Sequence, residues 1–203
     1  MNLKRDFPIW LVYSRLPLGF IFLTCALFEV SINRAWYVVI IVVALITDIF
    51  DGILARKWNT SSERLRKLDS NIDTIFWLLV TASIAVLEWA FFKDNWLAIM
   101  LVIFFEALTY VASFIRFKKG IATHSILAKF WTITLLAFYI ELILTGQSVW
   151  LFWTCIIMGI ISRWEILAII LTLKFWTSDV PSIFVVKRIN LGETIKKNPL
   201  FNS

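Results

Sequence analysis

The chain has 203 residues, 60% of them hydrophobic and 17% charged, with a mean hydropathy of +0.82. Soluble domains carry about 45–50% apolar and about 25% charged residues, so the composition argues against a soluble globular domain and excludes a disordered or collagen-like chain. Twenty Lys and Arg against 14 Asp and Glu give a formal charge of +6, but the basic residues lie between apolar runs, which marks cytoplasmic loops and not nucleic-acid binding.

Six apolar runs follow one another: Pro8 to Val30, Tyr37 to Ala55, Ile72 to Phe92, Trp96 to Ile115, Ile126 to Thr145 and Val149 to Leu173. Each is near the roughly 20 residues that a helix needs to cross a bilayer. None alternates in polarity as a barrel strand does. The expected fold is therefore an all-α integral membrane protein with six transmembrane helices. Residues 1–177 form the membrane domain, and 178–203 form a more polar cytoplasmic tail that can touch the membrane surface through Ile183, Phe184 and Val185. Lys4 and Arg5 precede the first run, and Arg56, Lys57, Arg64, Arg66 and Lys67 follow the second. Arg116, Lys118, Lys119 and Lys129 surround the fourth-to-fifth connection, and Lys174, Lys187, Arg188, Lys196 and Lys197 follow the sixth. The opposite side carries only Arg34 and Lys93. This bias places both termini in the cytoplasm. Cys25 and Cys155 fall in apolar runs, so a disulfide framework is not expected. A single histidine, His124, leaves no multi-histidine metal centre.

The chemistry concentrates in Thr47 to Thr74, TDIFDGILARKWNTSSERLRKLDSNIDT. Asp48 and Asp51 are three apart near the cytoplasmic end of the second run, and Asp69 and Asp73 are four apart where the third begins. Each pair lies on one helix face, and a short basic loop lets the two faces meet. Carboxylates inside a membrane are costly, about 2.5–3.5 kcal/mol each at the helix centre and less near the edge. Four together also repel one another. Divalent cations answer both problems, and hard oxygen ligands suit magnesium, calcium or manganese. Two metals about 3.5–4 Å apart can clamp a phosphoryl group undergoing displacement. Gly52 lets a ligand approach the backbone, and Arg56 is placed to pair with a phosphate. The plainer alternative is that these aspartates cap helices and pair with loop arginines; Asp69 and Asp73 suit a helix N-terminus, whereas Asp48 and Asp51 do not suit a C-terminus.

These residues resemble the CDP-alcohol phosphotransferase (CDP-alcohol phosphatidyltransferase) family, whose signature is D-x2-D-G-x2-A-R, eight residues, then G-x3-D-x3-D. Asp48, Asp51, Gly52, Ala55, Arg56, Asp69 and Asp73 fill seven of its eight fixed positions, and Leu65 stands at the signature glycine. The resemblance implies a membrane enzyme of phospholipid biosynthesis. It transfers a phosphatidyl group from CDP-diacylglycerol to a polar alcohol and releases CMP, with two divalent cations, Mg2+ or Mn2+. It implies Asp48, Asp51, Asp69 and Asp73 as metal ligands, with Asp73 also the general base. Asp48, Gly52, Ala55, Arg56 and Ser62 would bind the CDP donor, and Leu65 alters one wall of the cytidine pocket. It further implies a homodimer in the cytoplasmic membrane, with its active site facing the cytoplasm.

For the acceptor, Arg163 is an intramembrane arginine and so a functional candidate; its alternative is a structural pair with Glu106. The resemblance places basic residues near Arg116 and Lys129 in the acceptor pocket, and their alternative is a plain positive-inside flank. Three cations favour an acceptor with its own negative charge, such as glycerol phosphate or inositol phosphate, over serine or free inositol. Arg15 can reach the diphosphate or snorkel to headgroups, and His124 and Ser125 lie near the same connection. Glu29, Glu88 and Glu141 are expected to be structural. From other classes, an ion-coupled transporter would also hold intramembrane carboxylates, but near broken helices at the midplane. A non-catalytic scaffold or a pseudoenzyme marked by Leu65 completes the alternatives.

Overall fold

The computed structural model describes residues 3–28, 30, 33–58, 60, 62–120, 125–177 and 180–193, with side chains throughout except at 3–6, 56, 63, 64, 66 and 67. His124 and Glu29 fall outside the described residues. The described helices are α1 (Leu3–Leu27), α2 (Ala35–Lys57), α3 (Glu63–Leu87), α4 (Trp89–Asp94), α5 (Trp96–Phe117), α6 (Ile126–Thr145), α7 (Trp150–Thr172) and α8 (Ile183–Asn190). No strand occurs among the described residues. Six of the helices, all but α4 and α8, are long and apolar enough to cross a membrane. The chain is an all-helical integral membrane protein.

The helices differ from the apolar runs at their ends. The third starts nine residues before Ile72, because Ser62 caps it: the Ser62 hydroxyl accepts from the Leu65 N–H at 3.2 Å. A side-chain oxygen at that position satisfies one of the orphan donors of the first turn. Its opening turns are mostly charged, with only Leu65 and Leu68 apolar before Ile72, so they do not read as part of an apolar run. The same run then stops at Leu87. Glu88 leaves helical geometry (φ −123°, ψ 46°), and the rest becomes the separate short α4. Beyond the sixth run, α8 forms where only a polar tail is expected.

The chain divides into two compact units, Met1–Phe91 with Leu142–Gly146, and Phe92–Glu141 with Gln147–Ser203. In the first, α1 packs on α2 and α3. Its buried stripe runs Pro8, Val12, Arg15, Gly19, Phe22, Ala26. On α2 the inward stripe is Tyr37, Ile41, Ala44, Asp48, Asp51, Ala55, all of it buried except the half-buried Asp48. Spacing that alternates four and three is the seam of closely aligned helices. Phe22 stacks on Tyr37 with ring centroids 4.7 Å apart. At the far end from the aspartates, Arg34 pairs with Glu88 and donates to the Ile143 carbonyl at 2.9 Å. Glu88 is thus structural, as expected.

Gly19 sets how closely α1 approaches α3. A Cβ there would lie 2.9 Å from Leu79 Cδ1 and 3.3 Å from Phe76 Cδ2. Gly19 stands one turn after Arg15 on the same stripe, so its missing side chain also sets where the Arg15 guanidinium falls. Gly19→Ala should be absorbed by rotation of Leu79. Gly19→Leu should overpack the seam and cost about 1–3 kcal/mol, read as a lower melting temperature of the purified protein in detergent.

In the second unit, α5 packs on α7, and α7 on α8. Gly159 of α7 lies under Trp131 of α6, where a Cβ would meet the indole Nε1 at 2.8 Å. Glu141 pairs with Ser148. Val186 and Ile189 of α8 bury against Ile169, Leu173 and Val180. Asn190 closes the end of α7: its Nδ2 donates to the Thr172 carbonyl and its Oδ1 accepts from the Lys174 N–H, both at 2.9 Å. Phe184 of α8 remains exposed.

Candidate active site

The first unit brings together all four aspartates singled out by the sequence. Asp48 and Asp51 project from the third and second turns before the end of α2. Asp69 and Asp73 project from the second and third turns of α3, since Ser62 starts that helix well before them. They are interior helix positions, so capping the α3 N-terminus does not account for Asp69 or Asp73. The junction between the helices is tight, with the Thr60 N–H donating to the Ala55 carbonyl at 2.9 Å. Antiparallel register then sets Asp48 opposite Asp73, and Asp51 opposite Asp69.

At the centre lies the guanidinium of Arg15, 1% exposed. Its Nη1 donates to Asp48 Oδ1 at 2.6 Å and to Asp73 Oδ1. Its Nη2 donates to Asp51 Oδ2 and to Asp69 Oδ1, both at 2.5 Å. Each nitrogen therefore takes one carboxylate from α2 and one from α3. The planar fork of arginine permits this, and a lysine ammonium would not reproduce it. Arg15 Nε is buried with no hydrogen-bond partner. Among the carboxylates, Asp51 is buried, while Asp48, Asp69 and Asp73 stay partly open to solvent.

One cation cannot neutralise this cluster. Oxygens of Asp48, Asp51 and Asp69 lie within 4.8 Å of one another. At an effective dielectric of about 20, two unit charges at that distance repel by about 3 kcal/mol, less where solvent screens them. The donor set is entirely hard oxygen, which suits a hard divalent cation. The Asp48, Asp51 and Asp69 group is thus able to hold a metal.

The model of the CDP-alcohol phosphatidyltransferase family matches residues 6–161. The chain belongs to this family. Comparisons with curated proteins and with solved structures found no match. Its family transfers a phosphatidyl group from a CDP-alcohol to an alcohol and typically uses divalent metals. The matched segment runs from within α1 to about the middle of α7 and therefore contains the whole aspartate cluster.

The other expected donor-site residues surround that cluster in part. Gly52 follows Asp51 and is half-buried, and Ala55 is buried one turn after Asp51. The Arg56 side chain lies outside the described residues. Ser62 is exposed and caps α3, and Leu65, at the signature glycine, is half-buried in its first turn.

The expected acceptor residues all belong to the second unit. Arg163 is buried on α7, pairs with Glu106 of α5, and stacks over Trp131 at 4.4 Å. The Glu106 pair is the partner that its sequence context suggested. Glu165 faces elsewhere and accepts from the Ile183 N–H at 3.4 Å. Arg116 is exposed at the end of α5; its Nη2 donates at 2.9 Å to the Leu173 carbonyl, just past the last residue of α7. Lys129 is exposed in the first turn of α6. Ser125 is buried and its hydroxyl accepts from the Ala128 N–H at 3.1 Å.

Arg15 is the site residue whose place sequence reasoning left open, between diphosphate and headgroups. The signal was the stripe Val12, Arg15, Gly19, Phe22, spaced three, four and three. A cation on a helix seam must find buried anions, and the chain offers four on the neighbouring helices.

Proposed function

We propose that the protein transfers a phosphatidyl group from CDP-diacylglycerol to a small anionic alcohol such as glycerol phosphate or inositol phosphate, releasing CMP. The observation that carries this reading is the convergence of four aspartates from α2 and α3, in the family's spacing, on one buried guanidinium. Asp48, Asp51, Asp69 and Asp73 would hold two divalent cations, Mg2+ or Mn2+, which when bound supply charge neutralisation for the carboxylates and the diphosphate.

Gly52 and Ala55 would contact the CDP moiety of the donor, with Arg56 and Ser62 at the cytoplasmic rim. The acceptor hydroxyl oxygen attacks the lipid-side phosphorus, forming a new P–O bond. The bond from that phosphorus to the bridging oxygen breaks, and its electron pair leaves with CMP. Asp73 takes the hydroxyl proton. The family spacing is what suggests it for the proton, and it shares Arg15 Nη1 with Asp48. Arg116, Lys129 and Arg163 bind the acceptor's negative charge. The enzyme works as a homodimer in the cytoplasmic membrane, both termini and the active site on the cytoplasmic side, with residues 178–203 a cytoplasmic tail.

The test is CMP release by purified protein given CDP-diacylglycerol and Mg2+ or Mn2+. Glycerol phosphate, inositol phosphate, inositol and serine are supplied separately. Release with one anionic alcohol is the expected result. Release only with serine or free inositol would overturn the anionic acceptor and keep the reaction. No release with any, from folded protein that also fails to bind the donor, would overturn the reaction itself.

A further inference from the structure

We infer that the outer face of α8 is a docking surface for anionic lipid headgroups: Phe184 and Leu191 enter the apolar edge of the bilayer, and Lys187 and Arg188 between them bind the headgroup phosphates. The inference is independent of the aspartate cluster and of the reaction proposed for it.

The residues of α8 sort by side. Phe184, Lys187, Arg188 and Leu191, the last of which caps the helix, are all exposed, Phe184 by 88% and Leu191 by 68%. Their spacing of three, one and three keeps them on one helix face. Val186 and Ile189 fall on the opposite face and bury against Ile169, Leu173 and Val180. Ile183 and Val185, expected to touch the membrane surface, pack partly against that inner cluster. The outward apolar groups are Phe184 and Leu191 instead.

Contacts with α7 fix the place of this face. The Ile183 N–H reaches Glu165 Oε1 at 3.4 Å, and Asn190 Nδ2 donates to the Thr172 carbonyl at 2.9 Å. Both bonds join residues 18 apart, so α8 runs alongside the last two turns of α7 and does not stand above its end. The 23 residues of α7 measure about 34 Å, against about 30 Å of hydrocarbon. The end of α7 therefore reaches the headgroup layer, and α8 lies beside it at that depth.

Charge selects the occupant. Residues 116–120, 173–177 and 180–193 carry six Lys and Arg, all exposed, and one carboxylate, Glu193. Glu193 pairs with Arg188 at 2.8 Å, but an exposed pair of this kind is weak and yields to phosphate oxygens, which arginine binds well. Phe117 packs on the inner cluster of α8, which brings the basic end of α5 to the same place. A second copy of the chain would offer the same basic face and repel it. Anionic lipid supplies both the phosphates and the apolar edge that such a surface fits.

The experiment places a nitroxide at Phe184→Cys or Leu191→Cys, with Cys25 and Cys155 changed to Ala, in the full chain in lipid nanodiscs. The discs hold phosphatidylcholine with increasing proportions of phosphatidylserine. Collisions with oxygen, which concentrates in lipid, are compared with collisions with an uncharged water-soluble nickel chelate. Both sites should favour oxygen, and increasingly so as phosphatidylserine rises. Each basic residue near an anionic leaflet contributes about fivefold to its attraction, so Lys187→Gln with Arg188→Gln should remove most of that response. The melting temperature of the chain with its own cysteines should likewise rise with phosphatidylserine, and less in the double variant; this decides the question if the cysteine replacements do not fold. Free access of the nickel chelate to both sites in every disc overturns the inference, because the face then lies in water. A preference for oxygen that ignores phosphatidylserine and the double variant overturns the headgroup binding. Shielding from both reagents means that protein covers the face, and also overturns it.

Discussion

Asp73→Asn should lower kcat for CMP release by about 10²–10⁴-fold, the usual contribution of a positioned general base. The substitution keeps the size of the side chain and one oxygen facing Arg15 Nη1, but a carboxamide does not accept the acceptor's proton. Three carboxylates still serve the guanidinium, so the protein should melt cooperatively near the unsubstituted temperature. At saturating Mn2+, CDP-diacylglycerol binding should change only a few-fold, because the proton that Asp73 takes moves only on the way to the transition state. The rival role for this residue is metal ligation alone. In that case the defect would sit in metal affinity, and raising Mn2+ would restore most of the rate. Rates measured across a Mn2+ titration separate the two, and recovery at high Mn2+ would remove Asp73 from the proton-transfer step.

The six membrane helices were legible because length and unbroken apolarity dominate once water is absent. The same signal could not show where helices continue beyond the hydrocarbon. The opening turns of α3 are charged, and a single hydroxyl at Ser62 decides where they begin. Nor did it show α8, whose buried Val186 and Ile189 are sparse among polar neighbours and gain their meaning from Ile169, Leu173 and Val180 on other segments. The aspartates were legible as two pairs because spacing fixes the face of one helix. Which carboxylate opposes which was not, since it depends on the junction at Trp58 to Ser62 and the resulting antiparallel register. The place of Arg15 needed both: its stripe marks it as inward, but only the packing of α1 on α2 and α3 shows that it meets all four carboxylates. Arg163 is the reverse case, where the sequence already offered Glu106 and the structure makes that pair.

Asp51→Asn should have the largest effect on metal binding of the four single substitutions. Asp51 is 4% exposed, whereas Asp48, Asp69 and Asp73 keep about a third of their side chains open. Water can enter to replace a lost oxygen at the open positions. At Asp51 it cannot reach without disturbing the seam that Ala44 and Ala55 continue on either side. Loss of a supporting residue around a metal typically costs 10–100-fold in affinity, and loss of this ligand should reach at least the upper end, on the order of 10²-fold. CMP release should disappear at Mg2+ concentrations that saturate the unsubstituted enzyme. Asp48→Asn and Asp69→Asn should retain activity that rises with excess Mn2+. A chelator added to the unsubstituted protein should likewise abolish release, but reversibly, because Arg15 of α1 pairs with the carboxylates of both α2 and α3. If Asp51→Asn binds Mn2+ as well as Asp48→Asn does, burial does not rank these ligands, and the centre of the metal site lies nearer the half-buried Asp48 and Asp73.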